Sequence, residues 1–423
     1  MAVSLQLPPI FQRFQAIFLI LNNVVALALG PQRQFLRVFL TLPLLILLVA
    51  QSFYQEWDKG WGYKYGLEVF TMTMILQYVD WILLQSPDKE GWYKIQYGKE
   101  EDKAKASNGK PNGTGNATMP SKRYEREPGG AGTTFWSRMW WGIRLSFTNR
   151  YVGWSQQVKN VNMEVPPDYP RLHFIARKSV RLALLIVFRD LSIAYMASSP
   201  YGTYLDLQQS GEKTFSSFSP DDPFFPTRLW YTWVTILMTW VNLEIGHTAY
   251  GILCVALGLA NPRDCPSGFG YLRDLWSVRQ AWSAVWHQQM RRICGAPSLW
   301  LARDFLKLRK GSFGSKYVQL FGAFGISALI HSGGSWLLDR SFDDDVGSMK
   351  FFLGQAAVIL VEDHIIALGK KMGFRDSVGW RLLGFVWTLL MVGWGTEGYF
   401  DRSLQRGLWT HDRTPDWFGV GPK

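Results

Sequence analysis

The fold is decided by the sequence YLRDLWSVRQAWSAVWHQQMRR, residues 271–292, and the apolar run YVQLFGAFGISALIHSGGSWLL, residues 317–338. The first stretch is polar, basic and rich in tryptophan, and it carries His287 near its end. The second stretch is long enough to cross a bilayer and carries His331 in its interior. An ionisable side chain at membrane depth is costly to insert, so His331 is a candidate functional residue.

Seven further apolar segments lie on both sides of this stretch, and most of them approach the roughly 20 residues that a spanning helix needs. They cover residues 16–30, 36–54, 67–85, 179–196, 229–260, 351–369 and 380–394. The sequence therefore predicts an all-α protein, a polytopic integral membrane bundle of about eight spans with a central tunnel. Residues 26–28, Ala-Leu-Ala, resemble a signal-peptide cleavage site, but Asn22 and Asn23 favour a retained first helix.

The order of these segments predicts three regions. Residues 1–85 form N-terminal membrane helices, and residues 135–423 form the membrane core. Between them, residues 86–134 contain a stretch rich in Gly, Asn, Lys and Glu without aliphatic periodicity. Such a sequence cannot bury enough apolar surface to offset the entropy of ordering, so we predict a disordered cytosolic loop there.

The distribution of charge orients the bundle. The chain has 423 residues and a net charge of +12, and its Lys and Arg residues border the apolar runs. Residues 86–178, 261–316 and 370–381 are basic, whereas 197–228 and 339–350 are acidic. The positive-inside rule therefore assigns the basic blocks to the cytosol and both termini to the lumen. This pattern favours membrane lipids over nucleic acid as the partner of the positive charge.

His331 stands beside Ser332, and we expect the glycines at positions 333 and 334 to leave room for a substrate. A neutral imidazole suits proton abstraction near neutral pH. His287 and Arg291 have the i, i+4 spacing that predicts one shared helix face. Functionally, that face would hold a polar group near an acyl donor; the alternative is a solvated interfacial helix. The phosphates of a nucleotide-type donor would be attracted by the basic side chains of Arg279, Arg291 and Arg292.

Further ionisable residues lie in other apolar segments. His247, His331 and His364 could in principle converge on a metal ion, but nothing in their spacing requires it. Glu362 and Asp363 are expected to make polar contacts between packed helices. The three cysteines show neither metal-ligand spacing nor an even count, so we predict no metal site and no disulfide framework.

The pattern R-x-x-W-S-x-R-Q-A-W-x-x-x-W-H-Q, residues 273–288, followed by a membrane histidine, resembles the wax-synthase-like branch of the membrane-bound O-acyltransferases. The chain is most similar to fungal members that acylate terpenoid or meroterpenoid alcohols. RYVGWSQQVKN, residues 150–160, also resembles a segment that these proteins carry before their fourth span. The resemblance covers residues 36–394 apart from 98–134. Better-known relatives have Asn at the position of His287.

The resemblance implies an O-acyltransferase that uses acyl-CoA, most simply acetyl-CoA, as co-substrate with no bound cofactor, in the endoplasmic reticulum membrane. A lipophilic alcohol would be the acceptor. His331 would be the base, and His287 would stabilise the oxyanion or hold the thioester. The implied substrate-binding residues are Trp286, Gln288, Arg279, Arg291, Arg292 and Ser332. A wax-ester synthase using long-chain acyl-CoA, a proton-coupled transporter and a scaffold protein are the alternatives.

Overall fold

The computed structural model describes residues 5–55, 60–97, 124–127, 130–199, 202–211, 225–340 and 346–411. Its helices are α1 Pro9–Arg13, α2 Gln15–Leu29, α3 Gln34–Ala50, α4 Trp61–Tyr78, α5 Phe135–Ser146, α6 Arg171–Ser198, α7 Leu205–Ser210, α8 Phe225–Ala256, α9 Val278–Gln280, α10 Arg291–Trp300, α11 Phe313–Asp339, α12 Val346–Lys371 and α13 Val378–Gln405. π-Helical turns follow α4, α9 and α10, at Val79–Leu84, Ala281–Val285 and Leu301–Phe305. The strands are β1 Ile95–Tyr97, β2 Tyr124–Arg126, β3 Thr203–Tyr204 and β4 Thr410–His411. β1 pairs antiparallel with β2, and β3 pairs parallel with β4.

The prediction of a helical membrane protein is confirmed. Each of the eight predicted apolar segments coincides with a long helix, namely α2, α3, α4, α6, α8, α11, α12 and α13. Among the described residues, four helical stretches are long and apolar enough to cross a membrane: Pro31–Tyr54, Trp61–Leu84, Gly347–Lys371 and Val378–Gln405. The count of eight spans and the central tunnel stay predictions.

The segment predicted as a disordered loop, residues 86–134, is ordered at both ends. Trp92 is fully buried, and the Arg292 guanidinium lies 4.1 Å from its ring centroid. The short β1–β2 pair then closes the loop. The prediction was wrong for these ends, because Trp92 supplies a buried apolar contact at the first end and the pairing of β1 with β2 joins the second end to it. Residues 98–123 and 128–129 lie outside the described part.

Two buried apolar clusters hold the helices together. The first lies among α2, α3, α4 and α5 and includes Trp81 and Trp154. The second joins the ends of α6 and α8 to α11, α12 and α13. Val278, Trp282 and Trp286 pack against this second cluster, so the tryptophan-rich stretch is part of the bundle's interior.

Helix α11 approaches α4 closely at two glycines. A Cβ atom on Gly334 would lie 2.8 Å from Cγ2 and 3.0 Å from the backbone nitrogen of Val69, and one on Gly333 would meet Met72. These glycines therefore permit close helix packing. The prediction that they leave room for a substrate was wrong, because α4 already fills the space beside them.

We expect Gly334→Ala to destabilise the protein, since the added methyl group has only backbone and a branched side chain to displace. Overpacking of this kind costs about 1–3 kcal/mol. Gly325→Ala on the same helix is the matched control, because its Cβ would meet Leu353 at an ordinary 3.8 Å. Thermal unfolding of the purified variants in detergent checks this, and equal midpoints for both would contradict the close approach.

Candidate active site

Residues 271–292, which carry His287, are called the histidine segment below. The loop before this segment, residues 261–270, is held by Arg150. This buried arginine donates to the carbonyl oxygens of Pro266 at 2.9 Å and Gly268 at 3.4 Å. It stands in a left-handed backbone conformation, with φ of 56°. The resembling segment at residues 150–160 therefore has a structural role here, because its first residue fixes the loop that leads to His287.

A carboxylate fixes the same loop from another side. Glu164 accepts hydrogen bonds from the backbone N–H of Ser267 at 2.6 Å and pairs with Lys178 at 3.1 Å. Burial alone would raise the pKa of Glu164, but Lys178 and the hydrogen bonds from Ser267 lower it to about 2. The loop is thus tied to α6 by a group that is charged at neutral pH.

Two carboxylates on α12 hold the start of the histidine segment. Glu362 accepts from the backbone N–H groups of Val278 at 2.8 Å and Arg279 at 3.0 Å. Asp363 accepts two hydrogen bonds from the Arg279 guanidinium, at 2.7 and 2.6 Å. The polar helix contacts predicted for Glu362 and Asp363 are confirmed. The charge of Arg279 is paired within the protein.

The segment does not continue as one helix. The three-residue α9 passes into the π-helical turn, and Trp286 is extended, with φ −67° and ψ 151°. The prediction that His287 and Arg291 share a helix face was therefore wrong. The cause is Gln288, whose amide nitrogen donates to the carbonyl oxygens of Trp282 at 2.9 Å and Trp286 at 2.7 Å.

Gln288 is consequently committed to holding this turn. Both of its amide N–H donors are used, and its Oε1 accepts from Arg291 at 2.8 Å. A side-chain amide has only two donors, so none is left for an oxyanion. Gln288 instead fixes the backbone that leads into His287.

His287 lies in an aromatic environment with one nitrogen unpaired. Its ring meets Phe269 edge-on, at 5.7 Å between centroids, and contacts the ring of Trp286 at 5.4 Å. Its Nδ1 is buried and has no hydrogen-bond partner in the part of the chain that the structure describes. A buried imidazole nitrogen without a partner is costly unless something else binds there. Nδ1 of His287 therefore keeps an unused capacity for a hydrogen bond, which a polar ligand atom could fill.

His331 is held by two tyrosines that the sequence reading did not identify. Its Nδ1 lies 2.9 Å from the hydroxyl of Tyr65 and 3.3 Å from that of Tyr399, and the two hydroxyls are 2.7 Å apart. The imidazole stacks on Phe352, with centroids 4.9 Å apart and an interplanar angle of 13°. Tyr65 belongs to α4, Tyr399 to α13 and Phe352 to α12, so these helices and α11, four in all, meet at this histidine.

Ring contacts link the two histidines: His287 meets Trp286, Trp286 meets Trp282, Trp282 meets Phe352, and Phe352 stacks on His331. Burial, with smaller contributions from charge on His331 and Arg150, lowers the pKa of His287 to about 3. His287 is therefore neutral at physiological pH. Next to His331, the Ser332 hydroxyl is buried and has no hydrogen-bond partner among the described residues. The structure thus brings His287 and His331 to one region of the bundle. His287 itself, and Ser332 next to His331, each carry a buried polar atom without a hydrogen-bond partner among the described residues.

The three arginines predicted to bind phosphate differ in the contacts that they make within the protein. Arg292 pairs with the fully buried Asp80 at 3.0 Å and donates to Gln85 at 2.5 Å. Arg291 donates to the carbonyl of Ser283 and to Gln288, and its side chain is exposed. Of the three predicted phosphate-binding arginines, Arg279 and Arg292 are in ion pairs and Arg291 faces outward.

A separate cleft lies between α5, β1 and the end of α8, and its lining includes Lys94, Arg144, Tyr250 and Cys265. Neither His287 nor His331 lines this cleft, so the cleft is separate from the candidate active site. Within the described residues, no group of three or more His, Cys, Asp or Glu side chains is arranged to hold a metal ion.

Comparison with known proteins gives consistent similarities. The sequence model of the membrane bound O-acyl transferase family matches residues 265–354. Acetyltransferase sirH of Leptosphaeria maculans is 42% identical over 419 residues, which is 98% of this chain and 96% of that protein. Acetyltransferase eriL of Hericium erinaceus is 30% identical over 65% of this chain and 69% of its own length. Acetyltransferase ple2 of Rhodocybe pseudopiperita is 29% identical, over 67% and 71%. No solved structure matches the chain.

We expect Arg292→Ala to lower stability because it leaves the Asp80 carboxylate buried without its cation. Removing one partner of a buried pair costs about 3–5 kcal/mol. Adding Asp80→Asn should restore part of the loss, since the uncompensated charge is then gone. Thermal unfolding of the single and double variants measures both effects. Arg291→Ala is the exposed control, and an equal loss in that variant would contradict the assignment.

Proposed function

Since the chain belongs to the membrane-bound O-acyltransferase family, we propose that it transfers an acetyl group from acetyl-CoA to a hydroxyl of a lipophilic alcohol of the terpenoid or meroterpenoid class. The three relatives described above are named acetyltransferases, which supports acetyl-CoA as the donor. The observation that carries the proposal is the placing of His287 and His331 in one region of the bundle, linked by the rings of Trp286, Trp282 and Phe352.

In the proposed reaction the acceptor hydroxyl attacks the thioester carbonyl while His331 takes its proton. Because Nδ1 of His331 faces the tyrosine hydroxyls, Nε2 is the nitrogen that would accept. The new C–O bond forms, the C–S bond breaks, and the proton passes to the departing CoA thiolate. A positioned general base contributes about 10²–10⁴-fold to such a step. Both substrates bind together, so no acyl-enzyme is required.

His287 is proposed to stabilise the oxyanion that develops on the thioester carbonyl. Its buried and unpaired Nδ1 is the available donor, and fixed donors aimed at developing charge are strong contributors to catalysis. Gln288 would serve by holding the turn, Trp286 by packing against the thioester side, and Ser332 by hydrogen bonding the acceptor. The hydrogen bonds of Gln288 and the unpaired atoms of His287 and Ser332 support these roles.

We propose further that the donor's phosphates are bound from the cytosolic side. The exposed guanidinium of Arg291 would contact them directly, whereas Arg279 and Arg292 would contribute a positive field from within their ion pairs. In this arrangement eight spans surround a central tunnel in the endoplasmic reticulum membrane. Exclusion of water from the tunnel would suppress hydrolysis of the thioester.

His331→Ala should lower the rate of acyl transfer by about 10²–10⁴-fold. The variant should still insert into the membrane and fold. His331→Gln should be equally inactive, because an amide forms hydrogen bonds but cannot accept a proton at neutral pH. The measurement is acetylated product by mass spectrometry, from microsomes supplied with acetyl-CoA and a panel of terpenoid alcohols.

His364→Ala is the matched control, since this histidine also lies on an apolar helix but is exposed, bonds to the Leu360 carbonyl and meets the rings of Phe313 and Tyr317. Near wild-type turnover in His331→Gln would rule out His331 as the base. Longer acyl-CoAs run in parallel distinguish acetyl transfer from wax-ester synthesis, which would prefer them.

Arg291→Ala should raise the KM for acetyl-CoA roughly tenfold, as expected for the loss of one charge-assisted contact of about 1.5 kcal/mol. The value of kcat should change little, because phosphates far from the reacting carbon contribute mainly uniform binding. Initial rates over a range of donor concentrations measure this. A rise in the acceptor's KM alone would assign Arg291 to the acceptor instead.

A further inference from the structure

A histidine that removes a proton through Nε2 must carry its own hydrogen on Nδ1. The partner of Nδ1 decides which nitrogen is protonated, and that partner is commonly a carboxylate or a backbone carbonyl. In His331 the recorded partners of Nδ1 are two phenol hydroxyls, those of Tyr65 and Tyr399. A hydroxyl can donate as well as accept, so one tyrosine alone would not select a tautomer.

We propose, on the basis of the proposed function, that Tyr65 and Tyr399 together are the positioning residues that keep the proton of His331 on Nδ1. In the proposed arrangement the Tyr65 hydroxyl gives its single hydrogen to the Tyr399 oxygen, which lies 2.7 Å away. It then presents a lone pair to Nδ1–H of His331, at 2.9 Å. Nε2 is left unprotonated and able to accept from the alcohol.

The second hydroxyl is what makes the first one an acceptor. In the absence of Tyr399 as its acceptor, the Tyr65 hydroxyl can donate to Nδ1 at 2.9 Å, and the proton of the imidazole is then on Nε2. That tautomer cannot act as a base. The 2.7 Å contact between the two hydroxyls therefore affects the protonation of Nδ1 of His331. Tyr399 itself lies farther from that nitrogen, at 3.3 Å.

A neutral phenol pair also suits the return of the proton. When His331 becomes an imidazolium, its Nδ1–H bond to Tyr65 strengthens, because hydrogen bonds from charged donors are stronger than neutral ones. A carboxylate at the same place would stabilise the cation more. With neutral oxygens, the imidazolium gives its proton readily to the departing thiolate, so the base is regenerated in the same turnover.

Aromatic contacts hold both hydroxyls in place. The Tyr65 ring stacks on Trp61, with centroids 4.8 Å apart at 11°, and the Trp61 indole nitrogen lies 3.3 Å from Asp339. The Tyr399 ring stacks on Phe351, at 5.3 Å and 22°. Replacing either tyrosine with phenylalanine therefore keeps the ring contacts and removes only the oxygen.

Tyr65→Phe and Tyr399→Phe should each lower kcat by about 10–100-fold, the range that loss of an orienting partner of a functional histidine produces elsewhere. The KM values for acetyl-CoA and for the acceptor should stay within about twofold. The double variant should be no slower than the slower single variant, because residues that act as one unit are not additive. Rates are expressed per amount of monodisperse purified protein.

Tyr78→Phe is the matched control. It removes a buried hydroxyl from the same helix, α4, together with that hydroxyl's 2.9 Å contact to Thr41, and it should leave kcat unchanged. A fall as large as that of Tyr65→Phe would indicate general damage to α4 and would overturn the inference.

The His331→Ala background separates positioning from structure. Adding Tyr65→Phe there should not lower the residual rate further, whereas a purely structural tyrosine would lower the rate in both backgrounds. Wild-type kcat in both phenylalanine variants, with His331→Ala inactive, would overturn the tyrosine inference and leave the proposed function standing. If the unmodified chain transferred no acetyl group to any alcohol, the proposed function itself would fail.

Discussion

The rest of this structure depends on the requirement that backbone polar groups away from water find partners within the protein. Irregular backbone is tolerated at membrane depth only where other protein groups satisfy it. Here the partners are side chains on long helices: Glu362 accepts from two N–H groups at the start of the histidine segment. Glu244 on α8 accepts from the N–H of Gly268 at 3.0 Å. With these groups satisfied, the chain can leave helical geometry and turn His287 towards the interior.

His331 is assembled differently, by the convergence of regular helices. α11 carries the histidine, while α4 and α13 bring Tyr65 and Tyr399 from positions 266 residues before it and 68 residues after it. The close contact of α4 with α11 at Gly334 sets the distance over which the Tyr65 hydroxyl must reach. The distance between α4 and α11 therefore determines whether Tyr65 can form its hydrogen bond with the imidazole of His331.

Periodicity and apolar length were sufficient to predict the helices, because the eight segments are long and the signal extends over many residues. They also singled out His331 and His287, since an ionisable group stands out in an apolar or tryptophan-rich context. The turn at Gln288 was not predictable, because i, i+4 spacing describes a helix that side-chain bonds to carbonyls can interrupt. Tyr65 and Tyr399 were missed for another reason: a tyrosine in an apolar helix is ordinary, and nothing local shows that two of them meet a third helix.

The hydrogen bonds between Glu362 and the start of the histidine segment also depend on the order in which the chain is synthesised. Val278 precedes its carboxylate partner by 84 residues, so a ribosome delivers the irregular segment well before α12 exists. Until α12 inserts, the N–H groups of Val278 and Arg279 have only water to satisfy them. The newborn segment must therefore wait at the aqueous face and can settle into the bundle only afterwards. The hydrogen bonds between Glu362 and this segment can therefore form only after α12 has been synthesised.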